Sequence, residues 1–341
     1  MNLKELAGIL GLSQTTVSRA LNGYPEVSEE TRERVRLAAE RHNYRPNHRA
    51  KSLATGRAMA IGHVIPISTK HEMVNPIFGD FIAGAGETYV KQGYEMVLTV
   101  VEDNKEDEAY RQIKSRGNVD GVVVHGPTLN DPRIALLNEI GLPFVVHGRS
   151  SGSNQRYSWV DVNNKRAFER ATDFLLDLGH TRIALINGLE NMDFASRRRT
   201  GYETAMTKRG MKIDTSIMRS AEMTENYGYR AAREILAAEN APTAFIVSSM
   251  ICAIGVRRAL GDLGLQMGKD VSIVTHDDML SYLPNGDDVP IFTATRSSVR
   301  EAGKRVSDML IRCINGEIES SPTLLLEAEL MVGQSTGPAP R

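Results

Sequence analysis

Two cysteines in 341 residues, Cys252 and Cys313, are too few for a disulfide framework, and both lie in apolar or helical stretches. A reducing, cytoplasmic setting is the expectation. No run of about 18 apolar residues is present, so no membrane span is expected. The N-terminus, MNLKELAGIL, is charged and amphipathic and lacks the apolar segment of about 7–15 residues that a secretory signal needs. The eight histidines have no H-x-x-x-H or Cys–His spacing, so neither a metal nor another cofactor is expected. Enzyme motifs fail on inspection. GRSSG, residues 148–152, fits the G-x-S-x-G elbow, but a polar, non-periodic stretch follows where the elbow needs a helix. MGKD resembles a P-loop without its first glycine, Leu263 standing there, and without the Ser/Thr after lysine. The chain is therefore read as a non-enzyme.

The formal net charge of −1 excludes a uniformly basic nucleic-acid binder, but the charge is uneven. Residues 1–57 hold ten basic and six acidic residues, a balance of +4 that leaves −5 for the rest. An anionic partner for the N-terminus follows. Three short helices are predicted there. The first, Lys4–Leu10, puts Leu6, Ala7 and Leu10 on one face, and Gly11 ends it. The second starts at Ser13, whose hydroxyl can cap the Thr16 amide. It turns Val17 and Leu21 inward and Gln14, Thr15, Ser18, Arg19 and Asn22 outward. Short polar side chains at a helix N-terminus can reach base edges in a major groove, and two helices joined by a glycine turn form a helix-turn-helix. The composition leaves a small helical subdomain with a polar surface as the other reading. The third helix starts near Ser28 with Val35, Ala38 and Ala39 inside. After it comes YRPNHRAKSLATG, where Pro46 breaks the helix and Asn47 can cap a new turn. A helix this short is marginal in water, so the segment is a linker or folds on a partner.

From Ala60 the rhythm changes. Seven strands (AIGHVIPI, YEMVLTVV, DGVVVHG, LPFVVHG, TRIALING, TAFIVSS, VSIVTHD) alternate with helices near 77–92, 105–115, 130–140, 164–178, 195–209, 225–237 and 250–261. Such alternation predicts parallel sheets covered by helices on both faces, and the length predicts two subdomains. Ligands bind beyond the carboxyl ends of such strands. The polar residues there are Ser68, Asp103, His125, Arg149, Asn187, Ser248 and His276–Asp277.

LGLSQTTVSRALNG, VSEETRERV and YRPNHRAKSLATG together resemble the headpiece of the LacI/GalR family of bacterial transcriptional regulators. LLDLGHTRIALING and RRTGYETAM extend the resemblance over essentially the whole chain. It implies an all-α helix-turn-helix headpiece over 1–57, with a hinge helix at about 47–55. An α/β periplasmic-binding-protein-like (type I) core over 58–341 follows, with two doubly wound parallel-sheet subdomains. Its N-subdomain takes about 58–160 and 292–322, its C-subdomain about 161–291 and 323–341. By the resemblance, Gln14, Thr15 and Arg19 face bases, and Ser13, Thr16 and Ser18 position the helix on phosphates. Asn22 shares that surface. Tyr44, Pro46 and Asn47 begin the hinge helix, which carries Ala50, and Leu53 is a minor-groove wedge. The effector site implied contains Arg149, Arg198, Met223, Ser249, Asp277 and Ser297, with Arg198 and Asp277 as a charged pair for vicinal hydroxyls. Arg197 and Arg199 are read as a solvated helix start. Gly148 stands where an aspartate is common, and Met223, Ser249 and Ser297 also depart from the family pattern. FVVHGRS, VSSM and VTHDD resemble a branch serving sugar catabolism, α-glucosides being one candidate. The implied protein is a homodimeric repressor of a carbohydrate operon, bound to double-stranded operator DNA and released by a small sugar. A corepressor-dependent regulator, an activator, or a sugar-binding protein without DNA function are the alternatives. The tail MVGQSTGPAPR has no heptads for a tetramerisation helix.

Overall fold

The computed structural model describes residues 1–21, 23–44, 56–66, 75–102, 105–318 and 321–340. Asn22, Asn47, Ala50, Leu53 and the rest of the expected hinge helix at 47–55, with Ser68 and Asp103, lie outside the described residues. The chain divides into two compact units, Met1–Met59 and Ala60–Arg341.

Among its described residues the first unit has three helices, α1 (Leu3–Leu10), α2 (Gln14–Leu21) and α3 (Glu29–Arg41). Asn2 and Glu5 form a reciprocal capping box on α1, and Gly11 ends it at φ +65°. The Ser13 hydroxyl accepts the Thr16 amide at 3.0 Å, and Ser28 caps α3 through Thr31. Leu6, Ala7, Val17, Ala20, Val27, Val35 and Ala39 form the core, with Leu10, Leu21 and Tyr44 packed against it. Arg34 donates to the Leu10 carbonyl at 2.6 Å, tying α3 to the end of α1.

The second unit opens with β1 (Ala60–Pro66), α4 (Pro76–Gln92), β2 (Glu95–Val101), α5 (Glu106–Arg116), β3 (Gly121–His125), α6 (Pro132–Ile140), β4 (Phe144–His147) and β5 (Ser158–Val162). There follow α7 (Asn164–Asp177), β6 (Ile183–Asn187), α8 (Asp193–Lys208), β7 (Met218–Ser220), α9 (Glu225–Leu236), β8 (Ala244–Val247), α10 (Met250–Asp262) and β9 (Ser272–Asp277). Then come β10 (Thr293–Arg296), α11 (Val299–Asn315), β11 (Thr323–Leu326) and β12 (Glu329–Met331). One sheet has the order β11-β5-β4-β3-β1-β2 and is parallel throughout. The other has the order β12-β10-β9-β8-β6-β7, with only the β10–β12 pair antiparallel. Each contains a place where strand order reverses, between β1 and β3 and between β6 and β8, the position at which such sheets open a ligand crevice.

The subdomain boundaries need correction. β5 completes the first sheet as far as Val162, beyond the expected break at 160. β10, expected in the N-subdomain, runs beside β9 in the second sheet. β11, expected in the C-subdomain, pairs with β5 at the edge of the first. Backbone pairing rather than chain proximity decides membership, so the chain passes between the sheets after β5, after β10 and after β11. Helix pairs pack with backbones nearly touching. A Cβ at Gly84 would strike the Arg300 carbonyl, and one at Gly255 the Glu225 carbonyl. No described helix is long and apolar enough to cross a membrane.

Candidate functional site

In the first unit, the α2 surface follows from its own periodicity. Val17 and Ala20 are buried, which leaves Gln14, Thr15 and Arg19 exposed and Thr16 and Ser18 half-buried. Ser13 and Thr16 also share a hydroxyl contact of 2.8 Å at the helix start. Gln14 and Thr15 therefore stand on a fixed first turn whose positive end faces outward. Tyr44 packs partly on the three-helix core and donates its amide to the Ala39 carbonyl at 2.8 Å. Burial raises its phenol pKa.

In the second unit, the loops beyond the carboxyl ends of the two sheets meet. The Asp193 amide donates to the Pro127 carbonyl at 3.0 Å, and the Ser151 amide donates to the Asp193 carboxylate at 2.6 Å. Elsewhere on the seam, the Ser281 amide and hydroxyl both donate to Asp80 at 2.7 Å.

Between these contacts sits a charged cluster. Asp161, at the end of β5, accepts Arg149 Nε at 2.8 Å and Arg197 at 2.7 Å. Arg197 Nε also lies 2.6 Å from Asp193 Oδ1, an ion pair out of hydrogen-bond alignment. Arg149, over the Trp159 ring at 4.9 Å, is thus committed to protein partners. Arg197 is not the solvated residue the sequence suggested: its side chain is 13% exposed because two buried carboxylates hold it. Arg198 is buried, donating to Asn164 Oδ1 at 2.7 Å and the Ser248 carbonyl at 2.5 Å. Its guanidinium lies between Phe168 and Phe194, 5.1 and 5.0 Å from their centroids. Burial lowers its pKa to about 10, with Asp278 and Asp161 opposing that shift.

No ion pair joins Arg198 to Asp277, the two charged groups that the resemblance implies for a ligand's hydroxyls. Asp277 turns its carboxylate to the Met279 amide at 2.8 Å, closing its own turn, and its other oxygen lies 3.9 Å from Arg296. The neighbouring Asp278, whose Oδ1 lies 3.5 Å from His276 Nε2, feels the charge of Arg198. Burial pushes its pKa up to about 6, against the pull of Arg198. It keeps 16% side-chain exposure against 5% for Asp277, so it is the acid a ligand can reach. The Ser249 hydroxyl caps α10 through Ile251, and the Ser297 hydroxyl bonds His276 Nε2 at 3.1 Å. Met223 and Phe194 fill the space where Gly188 has no side chain, beyond the end of β6. Gly148 has φ +109°, a left-handed conformation that accounts for glycine there. The Ser150 hydroxyl of GRSSG donates to the Leu129 carbonyl and accepts the Asp131 amide. Sequence reading missed Asp161, Asn164, Arg197 and Asp278. The run DVNN after a short strand and the doubled acid in HDD were the available signals.

Known proteins match both units. Residues 2–47 match the family described as bacterial regulatory proteins, lacI family, and residues 172–336 match the periplasmic binding protein-like domain. The chain is 45% identical over its full length to the HTH-type transcriptional regulator AglR of Rhizobium meliloti (strain 1021), covering 95% of that protein. It is 32% identical to the HTH-type transcriptional regulator RafR of Escherichia coli over 93% of each. A solved transcriptional regulator CelR–cellobiose complex is similar at 28% identity and TM-score 0.73, over 98% of this chain and 99% of that one. The Lac repressor dimer bound to operator and the anti-inducer ONPF shares the fold, with TM-score 0.81 at 23% identity over 99% of each chain.

Proposed function

The chain belongs to the lacI family of bacterial regulatory proteins, and on that premise we propose that it is a cytoplasmic, homodimeric repressor of a carbohydrate-utilisation operon, released from its operator by a small sugar. The observation that carries the reading is the pairing of two surfaces in one chain. One is the outward polar turn of α2; the other is the polar region beyond the strand ends that holds buried Arg198 and the partly exposed Asp278. Gln14, Thr15 and Arg19 read bases, while Ser13, Thr16 and Ser18 set the helix on phosphates. Asn22, Tyr44, Asn47 and Ala50 extend that interface, and Leu53 unstacks a central base step.

A sugar suits the second surface because its hydroxyls both donate and accept. Asp278 accepts from hydroxyls, and the half-buried Phe194 ring beside Arg198 offers an apolar surface to C–H groups. The CelR–cellobiose complex supports a carbohydrate ligand. Seated between the subdomains, the ligand biases their angle, and a 100-fold preference for the non-binding state supplies about 2.7 kcal/mol of coupling.

Gel shifts of the full-length protein on DNA upstream of its own gene cluster, with a panel containing cellobiose and α-glucosides, test the reading. Sequence-specific binding weakened by one sugar is the expected result. Absence of any sequence-specific shift at moderate salt overturns the regulator assignment. A shift strengthened by the sugar overturns release and favours a corepressor.

A further inference from the structure

Three histidines of the first sheet have no part in the site just described. His63, His125 and His147 project from one side of that sheet. The registers put His63 beside Val123, two residues before His125, and His125 beside His147. Side chains from α4 cover them. Phe81 stacks on His147 with centroids 4.4 Å apart and meets His125 edge-on at 4.9 Å. His63 Nδ1 lies 2.9 Å from His125 Nε2, and His63 Nε2 lies 3.1 Å from the Tyr89 hydroxyl. His63 and Tyr89 are buried, and burial pushes the His63 pKa down to about 3. A neutral imidazole has one N–H and one acceptor nitrogen, so the direction of one bond in the chain sets the next.

Tyr89 sets that direction. Its buried O–H needs an acceptor, and His63 Nε2 is in bonding geometry. The neighbouring Ser307 hydroxyl opposes the rise of the phenol pKa as a donor to its oxygen, which leaves the phenol proton to His63. Tyr89 therefore donates to His63 Nε2. His63 carries its proton on Nδ1 and donates to His125 Nε2, and His125 carries its proton on Nδ1. Among the described residues no group accepts from that Nδ1, and His125 is only half-buried. It ends β3, directly before the Gly126–Pro127 turn that meets Asp193 across the seam.

We propose that the Tyr89–His63–His125 chain fixes His125 as a hydrogen-bond donor to an oxygen of the ligand held between the subdomains, with Tyr89 and His63 as positioning residues. The ligand's identity as a sugar rests on the function proposed above; the proton arrangement does not. A fixed N–H suits ring and glycosidic oxygens, which only accept, and rejects a ligand that presents its own N–H there.

Full-length protein labelled with 15N-histidine tests both parts, because side-chain nitrogen shifts separate the two tautomers. His63 and His125 are expected in the Nδ1–H form. Tyr89→Phe keeps the ring but removes the donor, so both should move toward Nε2–H. Sugar affinity should then fall roughly tenfold, the size of one lost hydrogen bond. Retained operator binding serves as the control for folding. Nε2–H tautomers in the unmodified protein overturn the proposal, as does a Tyr89→Phe variant with unchanged tautomers and unchanged sugar affinity. An unmodified protein that binds no sugar overturns the effector reading, while the nitrogen shifts still decide the direction of the chain.

Discussion

Lowering the pH from 7.5 to 5 is expected to destabilise the second unit steeply, and its buried imidazoles set the size. A histidine with a depressed folded pKa is protonated first in the unfolded chain. Its contribution is whole above the unfolded value and is lost as pH falls toward the folded one. Burial pushes His63 down to about 3 and His147 to about 4 from 6.5. At pH 5, about 1.5 units below the unfolded value, each costs about 2 kcal/mol. His125 and His276, also held well below 6.5, act in the same direction. Asp278 opposes them. Raised from 3.8 to about 6, it takes up its proton first in the folded state and returns about 1.4 kcal/mol over the same interval. The net loss from His63, His147 and Asp278 alone is about 2.5 kcal/mol, against a total stability of roughly 5–15 kcal/mol. Thermal unfolding of the full-length protein should show a Tm roughly 5–10 °C lower at pH 5. His147→Phe, which keeps a ring against Phe81, should reduce the loss by about 2 kcal/mol. A Tm unchanged between pH 7.5 and 5 refutes the neutral histidine cluster.

Arg198→Met strands Asn164 Oδ1 and the Ser248 carbonyl, so urea unfolding should register a loss of about 2–6 kcal/mol without any ligand. An unchanged midpoint would deny Arg198 its structural part. Gly255→Ala, whose Cβ would meet the Glu225 carbonyl, should cost about 1–3 kcal/mol by the same measurement. Gly86→Ala, with open space around it in α4, should instead stabilise by about 0.5–1 kcal/mol. In the first unit, Leu6→Ala should cost about 2–5 kcal/mol of helix stability, read by circular dichroism. Gln14→Ala should leave that stability intact but lower operator discrimination by about 1–3 kcal/mol in competition gel shifts.

The legible parts of the sequence were those with strong local periodicity. α1 and α2 follow from Leu6, Val17 and the Ser13 cap, and the seven apolar runs are β1, β2, β3, β4, β6, β8 and β9. The short strands β5, β7, β10, β11 and β12 were missed. TATR and ELM hold too few residues for a period, and their state is decided by the neighbour they pair with. α11 was missed although VREAGKRVSDMLIRCIN has a clear apolar face. At the site, Arg198 could be chosen by motif, but its acid could not. Asp277 and Asp278 are chemically identical in sequence, and only the turn closed on the Met279 amide separates the committed carboxylate from the available one. The histidine chain was equally hidden, because His63, His125 and Tyr89 meet only when β1 and β3 pair and α4 folds over them.

The three passages between the sheets bear on how the chain acquires its structure during synthesis. The first sheet has five of its six strands by Val162, yet its edge β11 and the covering helix α11 come from residues 299–326. The second sheet likewise waits for β12 at Glu329–Met331. Neither half can be completed before residues 299–331 have been made, so the two sheets finish together, late in synthesis. A chain cut short before β11 would leave two sheets each lacking an edge strand, with open edges, rather than one folded half. Quality control would then act on the whole core as a single unit.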